Sequence, residues 1–217
     1  EMVKEAIKLG YNYVAITDHS KSERIANGLD EKRLEKHLKE IEQLQKKYKN
    51  IVILKGSEVD ILSNGKLDYS NDTLKKLDIV IASIHSRFKS SKAEMTKRIL
   101  SALSNDYVKI FAHPTGRLIN RREPYEFDFE KILDTAKDNN IALEINSFPE
   151  RLDLRDVYIR DAVNSNVKLV IDTDSHHVSH FNLIKYGIAQ ARRGWAKKQD
   201  VVNTYELKEF KKFFGIK

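Results

Sequence analysis

Six short runs of apolar, β-prone residues recur along the chain, each separated from the next by a stretch with helical spacing. They occupy positions 13–17, 51–54, 79–82, 107–112, 141–145 and 168–171, and the second strand is expected to continue towards Glu58. Near-continuous apolarity, rather than strict alternation, marks strands covered on both faces, the pattern of a parallel sheet. The intervening segments supply the crossovers. Asp30 can cap a long charged helix carrying Leu34, Leu38, Ile41 and Leu44 on one face. Further helices are predicted over 1–9, 73–77, 92–104, 129–138 and 154–164. Strand–helix alternation of this kind predicts an α/β fold with a parallel sheet. A barrel would need at least one strand more, and its natural place is before Glu1, so the chain reads as a fragment lacking its first strand.

The 217 residues suit one domain spanning 1–217, with no linker, low-complexity tract or repeat. There is no cysteine, which excludes disulfides, iron–sulfur clusters and thiolate zinc sites, so any metal must be held by nitrogen and oxygen. No apolar run is long enough to span a bilayer and no signal peptide is visible, so the expected setting is cytoplasmic, with no membrane partner. The formal charge of +7 favours a polyanionic partner such as nucleic acid. Lysines scattered among glutamates also read as ordinary solvated helix faces.

The chemistry-bearing residues share one address. His19, Glu58, His85, His113 and the Asp174/His176 pair each fall at, or just past, the carboxyl end of a predicted strand. In a parallel barrel those ends converge on one face. Imidazole and carboxylate together suit Zn²⁺ or Mn²⁺, and a carboxylate can bridge two ions. Such ions activate water and stabilise a departing phosphoester oxygen, so the expected nucleophile is a metal-activated water and not a protein side chain. Each histidine alone reads as a loop residue; their shared position carries the argument. Asp174 and His176, two apart, would face one site on extended chain, with Asp172 behind them. Glu144 reads as a buried partner for an arginine, and His37 as a solvated helix residue. Ser175 lacks the sequence setting of a nucleophilic serine. Arg117, Arg121 and Arg122 follow one strand end and Arg87 another; guanidinium groups bind phosphate bidentately, so these four are candidate phosphate or DNA contacts.

The segments Ala15-Ile16-Thr17-Asp18-His19-Ser20, Gly56-Ser57-Glu58-Val59-Asp60, Ala82-Ser83-Ile84-His85-Ser86-Arg87, His113-Pro114-Thr115-Gly116-Arg117 and Thr173-Asp174-Ser175-His176 resemble, in order, motifs of the polymerase and histidinol phosphatase (PHP) superfamily. The stretch from His113 to Tyr125 and the later Ala191-Arg192-Arg193-Gly194-Trp195 look like the C-terminal PHP domain of bacterial and archaeal X-family DNA polymerases. The resemblance implies a distorted, TIM-like (β/α)7 barrel with up to three Mn²⁺ or Zn²⁺ ions. It also implies a 3′–5′ exonuclease or DNA 3′-end-processing activity used in repair, sometimes with abasic-site endonuclease activity, beside a polymerase module. On matching positions it makes His19, Glu58, His85, His113, Asp174 and His176 metal ligands. The family's first motif, His-x-His with a nearby Asp, has no counterpart here and would lie upstream of Glu1, leaving one ion under-coordinated. Two alternatives stay open: a small-molecule phosphatase of the histidinol-phosphate type, and a non-catalytic domain docking DNA or a polymerase module.

Overall fold

The computed structural model describes residues 1–216. Six strands form one parallel sheet in chain order: β1 (Tyr13–Ile16), β2 (Val52–Asp60), β3 (Ile79–Ser83), β4 (Val108–Phe111), β5 (Ala142–Asn146) and β6 (Leu169–Asp172). The helices are α1 (Met2–Lys8), α2 (Glu31–Lys47), α3 (Asn71–Leu74), α4 (Lys92–Leu103), α5 (Phe129–Asp138), α6 (Asp156–Asn164), α7 (Ile184–Arg193) and α8 (Leu207–Phe214). Local chemistry explains their starts. Asp30 accepts the Arg33 N–H at 2.8 Å to cap α2, and Ser91 with Glu94 forms a reciprocal capping box on α4.

The second strand runs well beyond the apolar stretch 51–54, to Asp60. It pairs with β1 through Val52–Lys55 and with β3 through Gly56–Asp60, so one strand bridges two neighbours in succession. Gly56 sits where they meet; a Cβ there would lie 2.7 Å from Thr17 Cγ2 and 3.0 Å from the Ile16 carbonyl.

The sheet curls. Strands laid flat at about 4.8 Å spacing would hold β1 and β6 roughly 24 Å apart. Instead His19, just past β1, has its ring centroid 5.8 Å from that of His176, just past β6. Among the described residues β1 pairs with β2 alone, and the far edge of β6 meets only an isolated bridge, Leu169 to Val201.

Strand phase sorts side chains into two cores. Ile53, Val59, Val80, Ala82, Phe111, Leu143 and Ile171 face outward against the helices. Leu54, Ile79, Ile110, Ala142 and Val170 face inward, where Val202, Phe210 and Phe214 cover them. The last two come from α8, four residues apart on one face, and burying each contributes about 1.5–3 kcal/mol. The inner positions further along the same strands are Glu58, two repeats past Leu54, and Glu144 and Asp172, one repeat past Ala142 and Val170, so the concave face is apolar at its floor and acidic at its carboxyl mouth.

Candidate metal centre

Glu58 is the hub. Its carboxylate lies 3.6 Å from His19 Nδ1, 3.3 Å from His85 Nε2 and 3.2 Å from His113 Nε2. His19 and His85 rings stand 5.2 Å apart between centroids, as do His85 and His113. Four residues separated by up to 94 positions thus meet at the mouth, because each ends a strand of one curled sheet.

Burial alone would raise the Glu58 carboxyl; the His113 hydrogen bond and the three imidazoles outweigh it and hold the acid well below its ordinary range. His113 moves down, chiefly through burial, which keeps it neutral and able to ligate. His85 moves up despite burial, because Asp60 hydrogen-bonds to it and Glu58 lies close.

The donor set fits a divalent cation. Two ligands held about 2.1 Å from one tetrahedral ion stand about 3.4 Å apart, and the three Glu58–imidazole separations fall at 3.2–3.6 Å. One donor atom each from His19, Glu58 and His85 lies within 4.8 Å of the others. His19 Nδ1, the nitrogen that faces Glu58, is buried with no hydrogen-bond partner, the kind of orphan a ligand satisfies.

From the end of β6 the His176 ring comes within 5.8 Å of the His19 ring, centroid to centroid, while Asp174 lies beside Asn146 and Arg151, and the two are not joined on extended chain. Asp174 takes φ 46° in the left-handed region, and His176 turns its Nδ1 back to the Asp174 carbonyl at 2.9 Å. His113 has φ 29°, so two of the six candidate ligands occupy backbone that L-residues disfavour. His177 and His180 stay outside the cluster; His177 bonds Ser179, and His180 accepts the His176 N–H.

Four contributors escaped the sequence reading. Asp60 Oδ1 holds His85 Nδ1 at 2.5 Å, and Glu23 reaches within 3.8 Å of the same nitrogen. Asp60 shares the inward phase of Glu58, two residues on, a signal that was present; Glu23 sits on a loop with no such signal. Asn146 Nδ2 donates to Asp174 Oδ2 at 3.2 Å. Arg151 Nε lies 3.7 Å from that same oxygen, and its Nη1 is buried without a partner.

Two readings change. Glu144 partners no arginine: it accepts the His113 N–H and faces Asp172. Burial, then the neighbouring charges of Asp172 and Asp174, push Glu144 well up, while Asp172 is pushed up to about 7, chiefly by burial. His37 is half-buried, with its Nε2 3.0 Å from Asp18 Oδ2, beside His19.

The arginines divide. Arg117 donates to the carbonyls of Arg151 and Leu152, and Arg122 donates to the Gly116 carbonyl while stacking 3.7 Å over the Phe88 ring. Both brace loops around the mouth. Arg121 pairs with Glu150 at 3.0 Å on the surface. Arg87 is exposed and lines a cleft of about 370 Å³ beside His85, with Ser22, Glu23, Asp60 and Asn64. A depression of about 700 Å³ between α4 and α5 contains none of the candidate ligands.

A curled parallel sheet carrying a histidine–carboxylate cluster at its carboxyl mouth defines an α/β barrel protein with a candidate metal centre. The sequence profile of the PHP domain matches residues 1–148. The chain belongs to the PHP domain family. It is 46% identical over 213 residues to the DNA polymerase/3′-5′ exonuclease PolX of Bacillus subtilis, covering 98% of this chain and 37% of that protein. It is 31% identical over 184 residues to a protein of Acetivibrio thermocellus named Probable phosphatase, covering 81% and 71% of the two. The crystal structure of histidinol phosphate phosphatase from Lactococcus lactis, complexed with zinc, L-histidinol and phosphate, superposes with a TM-score of 0.62 at 21% identity, over 90% of this chain and 87% of that one. At that identity the match speaks to the fold. No helix among the described residues is long and apolar enough to cross a membrane.

Proposed function

We propose that this chain is a metal-dependent phosphodiesterase acting at the 3′ end of DNA, as one part of a protein that also carries a polymerase module. The observation that carries this reading is Glu58, ionised and surrounded by three imidazoles at ligand-like spacing. The Bacillus subtilis relative, named as polymerase and 3′-5′ exonuclease, supports the DNA substrate; the chain spans 37% of its length.

In this reading His19, Glu58, His85, His113, Asp174 and His176 hold divalent ions, Mn²⁺ or Zn²⁺. When bound, such ions supply an activated water and polarise the phosphoryl oxygens. The remaining work belongs to the chain. Asp60 accepts the Nδ1 proton of His85 and leaves Nε2 free to ligate. Asn146 orients the Asp174 carboxylate. Glu144 and Asp172 hold a proton between them beneath the centre, which limits negative charge there. Arg151 offers its unpartnered Nη1 to a phosphoryl oxygen.

The test is shortening of a 5′-labelled DNA strand with added Mn²⁺, in the intact protein. No shortening at any Mn²⁺ concentration counts against the reading. Phosphate release from histidinol phosphate without action on DNA would favour the small-molecule phosphatase, a reading supported by the Acetivibrio thermocellus relative named Probable phosphatase. A metal-loaded but inert protein would favour a docking domain.

A further inference from the structure

The segment between Ser20 and Leu29 is a built loop. Ser20 and Leu29 form a parallel bridge, the Gly28 N–H donates to the Glu23 carbonyl at 2.9 Å, and the Ser22 N–H donates to Asp68 Oδ2 at 2.7 Å. Arg33 holds the carbonyls of Asn27 and Gly28 from α2. Gly28 is obligatory here, since a Cβ would fall 1.9 Å from the Ser20 carbonyl oxygen.

This fixed loop carries Ile25 at 99% exposure, the most exposed large apolar side chain among the described residues; Trp195 follows at 66%. Scattered surface apolar residues are ordinary, but this one is tied to the metal centre. The Ile25 N–H donates to Glu23 Oε1 at 3.2 Å, and Glu23 Oε2 lies 3.8 Å from His85 Nδ1. Residues 24–27 form a turn, so the tip stands directly beside that contact at the rim of the centre. Arg24 beside it is exposed, and Arg87 borders the cleft below.

We propose that Ile25 is a substrate-side wedge: it packs against the base next to the 3′ terminus of single-stranded DNA, with Arg24 over the adjoining phosphate. The inference rests on the phosphodiesterase reading and adds an apolar base contact to it. Every base has an apolar face, so such a contact is tolerant of sequence, and apolar side chains wedge against bases in this way elsewhere. A small phosphoester lacks a neighbouring base to pack on Ile25.

The test is anisotropy of a 5′-fluorescein oligothymidine of about ten nucleotides with Mn²⁺, using wild type, Ile25→Ala, Ile25→Asp and Ile25→Phe. The expected result is affinity about tenfold lower for Ile25→Ala, lower still for Ile25→Asp, and retained for Ile25→Phe, in line with stacking contacts. Mn²⁺ bound per chain serves as the check on folding. If wild type shortens DNA and all four proteins bind the oligonucleotide equally, the wedge is overturned while the phosphodiesterase reading stands. Equal DNA binding with a change in molar mass on light scattering would also overturn it, assigning Ile25 to a protein contact. If wild type neither binds nor shortens DNA, both readings fall.

Discussion

Asp60 Oδ1 sits 2.5 Å from His85 Nδ1, while the other nitrogen of that ring sits 3.3 Å from Glu58 Oε1. One carboxylate thus fixes the ring from behind while another meets its open side. Asp60→Asn replaces an acceptor-only carboxylate by an amide that can also donate, so the tautomer is no longer selected. Mn²⁺ affinity is expected to fall about 10–100-fold by calorimetry. The ¹⁵N shifts of the His85 ring should show the change of tautomer with the rest of the spectrum unchanged, which separates positioning from misfolding.

Glu58→Gln removes the charge at the centre of the three imidazoles. For wild type, Mn²⁺ at about 100 times its dissociation constant should add about 2.7 kcal/mol of stability, seen as a rise in Tm. In Glu58→Gln that rise is expected to vanish. A Tm that still climbs with Mn²⁺ would move the metal elsewhere.

Arg151→Ala should leave metal content unchanged and lower kcat on a DNA 3′ end by about a hundredfold, the scale of one lost transition-state donor. Single-turnover rates against metal content by mass spectrometry check this. A fall in bound metal instead would mean that Arg151 acts by fixing Asp174, 3.7 Å away.

Asp153 is fully buried, accepts the Thr115 N–H at 3.0 Å through Oδ2 and leaves Oδ1 unpartnered. Burial pushes its carboxyl above the ordinary 3.8. Below pH 3.8 both folded and unfolded chains hold the proton, so this group does not affect stability. As pH rises from there the unfolded chain releases it first, and stability falls until the folded value is passed. Asp153→Asn lacks this slope. Its Tm should therefore gain on wild type as pH is raised from about 4, and a difference that stays constant as pH rises would refute the assignment.

Gly187 lets α7 lie directly on the tips of β5 and β6; a Cβ would fall 2.1 Å from Ser147 Oγ and 2.6 Å from Ile171 Cγ2. Gly187→Ala is expected to cost about 1–3 kcal/mol by urea unfolding. An unchanged midpoint would show that the helix can retreat freely.

Much of this architecture was legible in the sequence because parallel strands announce themselves by composition. All six apolar runs became strands in the order written, and Asp30 caps the helix it was expected to cap. The continuation of β2 towards Glu58 was legible as well, and the backbone ladder runs through Lys55, Gly56 and Ser57, although they break the apolar run, to reach Asp60. At the mouth, His19, Glu58, His85 and His113 could be named because strand ends of one sheet must converge. Arg151 could not, since its place depends on a loop path that no periodicity encodes. Arg117 and Arg122 drew attention by type, yet loop carbonyls take up much of their hydrogen-bonding capacity. Extended-chain phase was the wrong reason to join Asp174 to His176; a left-handed turn joins them.

The floor beneath the centre comes from α8, which follows all six strands in the chain. A ribosome therefore delivers every candidate ligand before it delivers Phe210 and Phe214. Until those rings arrive, water can enter from below, and Glu144 and Asp172 lack the dry surroundings that make them share a proton. The order of synthesis thus makes the final maturation of the centre wait on a helix that contributes no ligand to it.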